Sequence, residues 1–138
     1  MGYGGLVRDS AGSWIIGFMA GTGGGGPLLA EIKALKSGLE ILWEKGEREV
    51  ICEVDCLELV HVIHHQREQF HALALEFREL QLLLSRDWRV QLLHISRDAN
   101  TAADCLAHLG SVSQCDLSRL EVPPPQLLPF LARDALAL

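Results

Sequence analysis

His94-Ile95-Ser96-Arg97-Asp98-Ala99-Asn100-Thr101-Ala102-Ala103-Asp104-Cys105-Leu106-Ala107 is the stretch on which the reading of this chain turns. The residues before it, Trp88 to Ile95, set Val90, Leu92 and His94 against Arg89, Gln91 and Leu93, the period of a strand. The residues after Asn100 have helical character and run to Gly110, where a glycine is expected to stop the helix. Asn100 stands where an N-cap is expected, and Asp104 lies one turn inside the helix. The segment is therefore a strand, a polar loop and a helix that carries a carboxylate near its start.

Two further acids sit in comparable places. Glu31 interrupts the apolar face of a helix that Pro27 opens in the favoured first turn. Leu28, Ile32, Leu35, Leu39 and Leu42 recur along that face up to Lys45-Gly46. Asp55 ends the strand Glu49–Val54. Each has an ordinary explanation. Glu31 can lie at the edge of its stripe and reach solvent. Asp55 can cap the helix Cys56–His65, and Asp104 can be a first-turn acid favoured by the helix dipole. His94 can be a satisfied strand histidine and Asn100 only a cap. Taken together, three carboxylates from three elements are the oxygen donors a hard divalent cation takes.

The rest of the chain supplies an α/β frame. Gly4–Arg8 and Ser13–Met19 read as strands joined through Asp9-Ser10-Ala11-Gly12 as a hairpin. The glycine run 21–26 lacks the Lys-Ser/Thr ending of a phosphate loop and reads as a connection. Phe70–Arg86 reads as a helix with a Leu73, Phe77, Leu80, Leu84 stripe. Val122-Pro123-Pro124-Pro125 continues neither helix nor central strand. Residues 1–110 therefore form the domain, and 111–138 form an arm that ends in a short apolar helix over Gln126–Leu138. Hairpin, helix, strand, two helices, strand and helix make an α/β layer pattern with a mixed sheet, whose site is expected at strand C-terminal ends.

Composition narrows the function classes. With 138 residues, 49% of them hydrophobic, and a mean hydropathy of +0.18, the chain can bury the core of one domain. It has neither a membrane-spanning run nor a signal-peptide pattern, and the default compartment is cytosol or nucleus. The net charge is −6 with only three lysines, so weak non-specific affinity for nucleic acid is expected. Cys52, Cys56, Cys105 and Cys115 include no CxxC pair. Cys52 and Cys56 with His61, His64 and His65 straddle a strand end and a helix start, which is poor spacing for zinc.

The order and spacing of these segments resemble the type 1 ribonuclease H domain, and most closely the reverse-transcriptase-like RNase H domains abundant in plant genomes. The resemblance rests on 4–14, on Ala30-Glu31-Ile32-Lys33-Ala34-Leu35, on Glu53-Val54-Asp55-Cys56, on 94–107 and on the proline-bearing tail. It implies an RNase H-like three-layer fold with a mixed five-stranded sheet of order 3-2-1-4-5. It implies that Glu31, Asp55 and Asp104 are three of four metal-binding acids. His94 would match a mobile-loop histidine of product release or proton handling, and Asn100 a residue near the substrate backbone. The implied cofactor is Mg2+ in a two-metal site, with Mn2+ possible. The implied activity is hydrolysis of the RNA strand of an RNA–DNA hybrid.

The resemblance also implies a gap. The family's first acid lies on a first strand that precedes the hairpin, and this chain begins at Met1-Gly2-Tyr3, after it. Neither Asp9 nor Asp98 stands in its place. That strand is central to the family's sheet, so its neighbours are expected to be left unpaired, as a truncated reading of a longer gene would explain. The expected function is thus an RNase H-type nuclease domain of impaired activity. The alternatives are a catalytically inactive nucleic-acid-binding module derived from a retroelement, or a protein-interaction domain that accepts a partner's strand at its open sheet.

Overall fold

The computed structural model describes residues 1–65 and 73–136. Strand β1 (Gly2–Arg8) pairs antiparallel with β2 (Trp14–Gly21) across the expected hairpin. The turn is held by Asp9, whose Oδ1 accepts from the amides of Ala11 (3.0 Å) and Ser13 (2.9 Å), an Asx turn. Helix α1 (Gly26–Glu44) follows the glycine run. Gly23 to Gly26 all have positive φ, from 70° to 151°, a backbone path closed to most other residues. Strand β3 (Glu49–Val54) leads into α2 (Leu57–His65). The first turn of the helix anticipated from Phe70 lies outside the described residues, and α3 is described over Ala74–Leu84. Strand β4 (Arg89–His94) runs parallel to β3, with Val54 opposite His94.

A short 3-10 turn, Arg97–Ala99, connects β4 to α4 (Thr101–Ser113). The arm then forms β5 (Ser118–Leu120), a 3-10 turn at Pro125–Leu127 and α5 (Leu128–Leu136). The single mixed sheet of the sequence reading is present in two pieces. One is antiparallel with order β1-β2-β5, and the other is the parallel pair β3-β4. In neither piece does β1 pair with β3.

The core is divided in the same way. Ile32, Leu35 and Leu39 of α1 pack with Val50, Val54, Leu59, Val60, Leu80 and Leu83 beneath β3. Farther along α1, Ile41 joins Val7, Ile16 and Phe18 beneath the hairpin. Helix α1 is thus the beam shared by both halves. Leu39, Leu59 and Leu80 are each 0% exposed, and burial of each contributes about 1.5–3 kcal/mol. Between the strands themselves, Arg8 on β1 reaches Glu53 on β3 at 3.6 Å, a half-exposed pair worth roughly 0–1 kcal/mol.

On the opposite face of the hairpin, α4 lies across β1 and β2. The sequence reading stops this helix at Gly110, but it continues to Ser113, and Gln114 ends it with φ 47°. Gly110 serves closeness instead of termination. A β-carbon there would stand 2.4 Å from the carbonyl oxygen of Ala20. The arm of the sequence reading ends in a helix, α5, and also carries a strand that the sequence reading does not include. β5 adds a third strand beside β2, through Gly17 opposite Leu120, and Trp14 Nε1 donates to the carbonyl of Glu121 at 3.1 Å.

Candidate active site

Four elements meet where the two half-sheets approach. The start of β1 contributes Gly2, Tyr3 and Gly4. Helix α1 contributes Ala30, Glu31 and Ala34. The end of β3 contributes Asp55, and the start of α4 contributes Ala103, Asp104 and Ala107 beside Asn100. They enclose a cavity of about 40 Å³, room for a few water-sized groups and not for a nucleotide. Glu31, Asp55 and Asp104 therefore line one space although they are far apart in sequence.

Local folding explains each position. Glu31 is half-buried because its helix must turn the neighbouring Ile32 and Leu35 into the core. The flanking Ala30 and Ala34 sit one turn apart on α1, and Ala103 and Ala107 do the same on α4. These small residues leave room between two helices for the acids. Asp55 follows the last residue of β3, just before α2. The first helical bond there closes on the carbonyl of Cys56 (from the Val60 amide, 3.3 Å), one residue later than the cap reading of Asp55 anticipates.

Asn100 does not use its side chain as a helix cap. Its Nδ2 donates to Oδ2 of Asp55 at 3.1 Å, tying the entrance of α4 to the end of β3. A tertiary partner has outcompeted the local cap.

Burial pushes the Glu31 carboxyl up to about 7, and the charges of Asp55 and then Asp104 add to the rise. Arg97 acts in the opposite sense. Three carboxylates in one small space repel one another, so the proton on Glu31 is the means by which that repulsion is relieved near neutral pH. Even so, among the described residues no three His, Cys, Asp or Glu side chains are grouped closely enough to hold a metal ion between them. That statement also covers the described part of the cysteine and histidine set around Cys52.

His94 stands apart from the cavity lining. It is exposed at the end of β4, in register with Val54, the residue before Asp55. The structure thus brings together Glu31, Asp55, Asp104 and Asn100, and places His94 one strand away. The sequence reading missed the small-residue walls and Arg97. Its only signals for them were the alanines four residues apart around Glu31 and around Asp104, and a lone arginine in the loop.

The chain matches the family described as Reverse transcriptase-like over residues 2–110. It is also 30% identical over 133 residues to a putative ribonuclease H protein of Arabidopsis thaliana, an alignment that covers 96% of this chain. The chain spans 22% of the length of that relative. With three acids of the expected order lining one cavity of a mixed α/β fold, the chain belongs to the reverse transcriptase-like family and is an RNase H-like domain.

Proposed function

We propose that this domain binds RNA–DNA hybrid and is built for divalent-cation-dependent hydrolysis of the RNA strand. The observation that carries the proposal is the convergence of Glu31, Asp55 and Asp104 on one cavity. Hard carboxylate oxygens suit Mg2+, with Mn2+ as a substitute, and a cation would offset the mutual repulsion that adds to the effect of burial on Glu31. The donors are not grouped into a closed cage. Glu31, Asp55 and Asp104 would be the residues to hold an ion, once drawn closer together around it. When bound, Mg2+ supplies charge relief on the phosphate and an acidified water.

The protein's own groups have separable tasks in this reading. Asn100 fixes one oxygen of Asp55 and, at the cavity wall, lies near the path of the substrate backbone. His94, exposed one strand over, would serve proton handling or product release. Selectivity for the RNA strand would come from contacts to its 2′-hydroxyls.

The 138-residue chain is proposed to cleave poorly, because its three acids are not closed around an ion and its sheet is in two halves. A strand between β1 and β3 carrying a fourth carboxylate would join the halves and complete the site. The same open edges favour a second reading, in which the domain binds nucleic acid, or a partner's strand, without cutting.

Cleavage of a labelled hybrid duplex in Mg2+ separates these readings. Slow turnover is expected from the chain itself. Much faster turnover is expected when an Asp-bearing strand is fused ahead of Met1. Asp55→Asn in the fusion is expected to reduce the rate by about two orders of magnitude or more. Efficient cleavage by the chain alone would refute the impairment. Binding without turnover by the fusion would establish the second reading.

A further inference from the structure

We infer that Arg97 is a positioning residue for the substrate phosphate backbone at this site, an inference that rests on the nucleic-acid reading above. A cavity lined by three carboxylates on a chain of net charge −6 repels a polyanion, so a cation must lie beside it for the backbone to approach.

The described cations are mostly committed elsewhere. Arg8, Lys36, Arg89 and Arg119 are in ion pairs with Glu53, Glu79, Glu49 and Glu44. The guanidiniums of Arg48 and Arg86 lie over the ring of Trp43, 3.6 Å and 5.0 Å from its centroid. Arg97 is exposed and, among the described residues, in no salt bridge, and it stands on the turn that leads into Asn100 at the cavity wall.

Its backbone is also held in place. The amide of Asn100 donates to the carbonyl of Arg97 at 3.0 Å, and the amide of Asp104 donates to that of Asn100 at 3.1 Å. The side chain of Asn100 then anchors the whole turn to Asp55. Arg97 is thus a planar, permanently charged fork on a turn fastened to the acids, with its donors available to a phosphate. The acids attract the cation and repel the strand, and Arg97 opposes that repulsion at the same place.

The test is binding of the full 138-residue chain to a fluorescent RNA–DNA hybrid duplex in Mg2+, titrated across salt concentrations. Arg97→Ala is expected to weaken binding about tenfold at low salt and to reduce the slope of log affinity against log salt by about one. Arg97→Lys should keep the slope. Arg78→Ala, at an exposed cation on α3, should leave both slope and affinity unchanged. A role in folding alone would lower the melting temperature without changing the slope. Wild-type slope and affinity in Arg97→Ala would overturn the inference while leaving the hybrid-binding reading intact. Absence of any salt-dependent hybrid binding by the wild-type chain would overturn both.

Discussion

Gly110→Ala is expected to destabilise the domain by about 3 kcal/mol or more, although helix propensity taken alone favours alanine by roughly 1 kcal/mol. Gly110 sits inside α4 where that helix crosses β2. A β-carbon there would meet three backbone atoms of Ala20: its oxygen at 2.4 Å, its nitrogen at 2.8 Å and its carbonyl carbon at 2.9 Å. A flexible side chain could move aside, but a strand backbone in its ladder cannot move without losing hydrogen bonds. The helix must therefore lift from the sheet. Gly4 makes the same demand at the other end of the contact, where its β-carbon would stand 2.8 Å from Leu106. Urea denaturation measures the loss, with Val112→Ala, at a 71% exposed site on the same helix, as a control expected to stay within about 0.5 kcal/mol. Equal or greater stability in Gly110→Ala would show that the close approach is not needed. Because α4 also carries Asp104, lifting it should weaken hybrid binding in parallel.

This contact illustrates what could be read in the sequence and what could not. Large apolar residues announce their elements by period. The Ile32, Leu35, Leu39 stripe located α1, and the alternation of Val90 and Leu92 located β4. Asp9 and Gly12 located the hairpin turn, since their preference is local. Small residues carry no such signal. Gly110 reads equally as a stop or as a close approach, and only the position of Ala20 decides between them. The alanines that open the cavity between α1 and α4 are silent for the same reason.

Long-range partners are also hidden. Asn100 has the right identity for a cap, and nothing local says that Asp55, 45 residues away, will take its side chain. Strand β5 is three residues long, too short to alternate, and it exists because β2 offers an edge. The three acids were legible as a set because their order and spacing match a family. Their distance from a closed ligand cage was not legible, since it depends on how two half-sheets settle around one shared helix.

Glu31→Gln is expected to be more stable than the wild-type chain at pH 8 and no more stable at pH 4.5 or below. The carboxyl of Glu31 ionises at about 7 in the folded domain, against an ordinary value of 4.5, because burial and then the charges of Asp55 and Asp104 oppose its charge. The folded state thus holds this proton more tightly than the unfolded chain does. The stability this group contributes is fully present below pH 4.5 and is lost as pH rises through 7, leaving an ionised, poorly solvated acid in the fold. A shift of that size corresponds to about 3 kcal/mol in full, and solvent screening of a half-buried carboxyl reduces it to roughly 1–2 kcal/mol. Glutamine has the same shape and no charge, so the variant should melt a few degrees higher at pH 8. Mg2+ sharpens the comparison. On the proposed reading a cation held by the three acids would relieve the same repulsion, so Mg2+ should raise the melting temperature of the wild type at pH 8 more than that of Glu31→Gln. An equal stability difference at both pH values would sink the electrostatic account. An equal response of the two proteins to Mg2+ would overturn the proposal that Glu31 holds the cation. Both outcomes can be read from melting curves alone, independently of whether the chain cleaves anything.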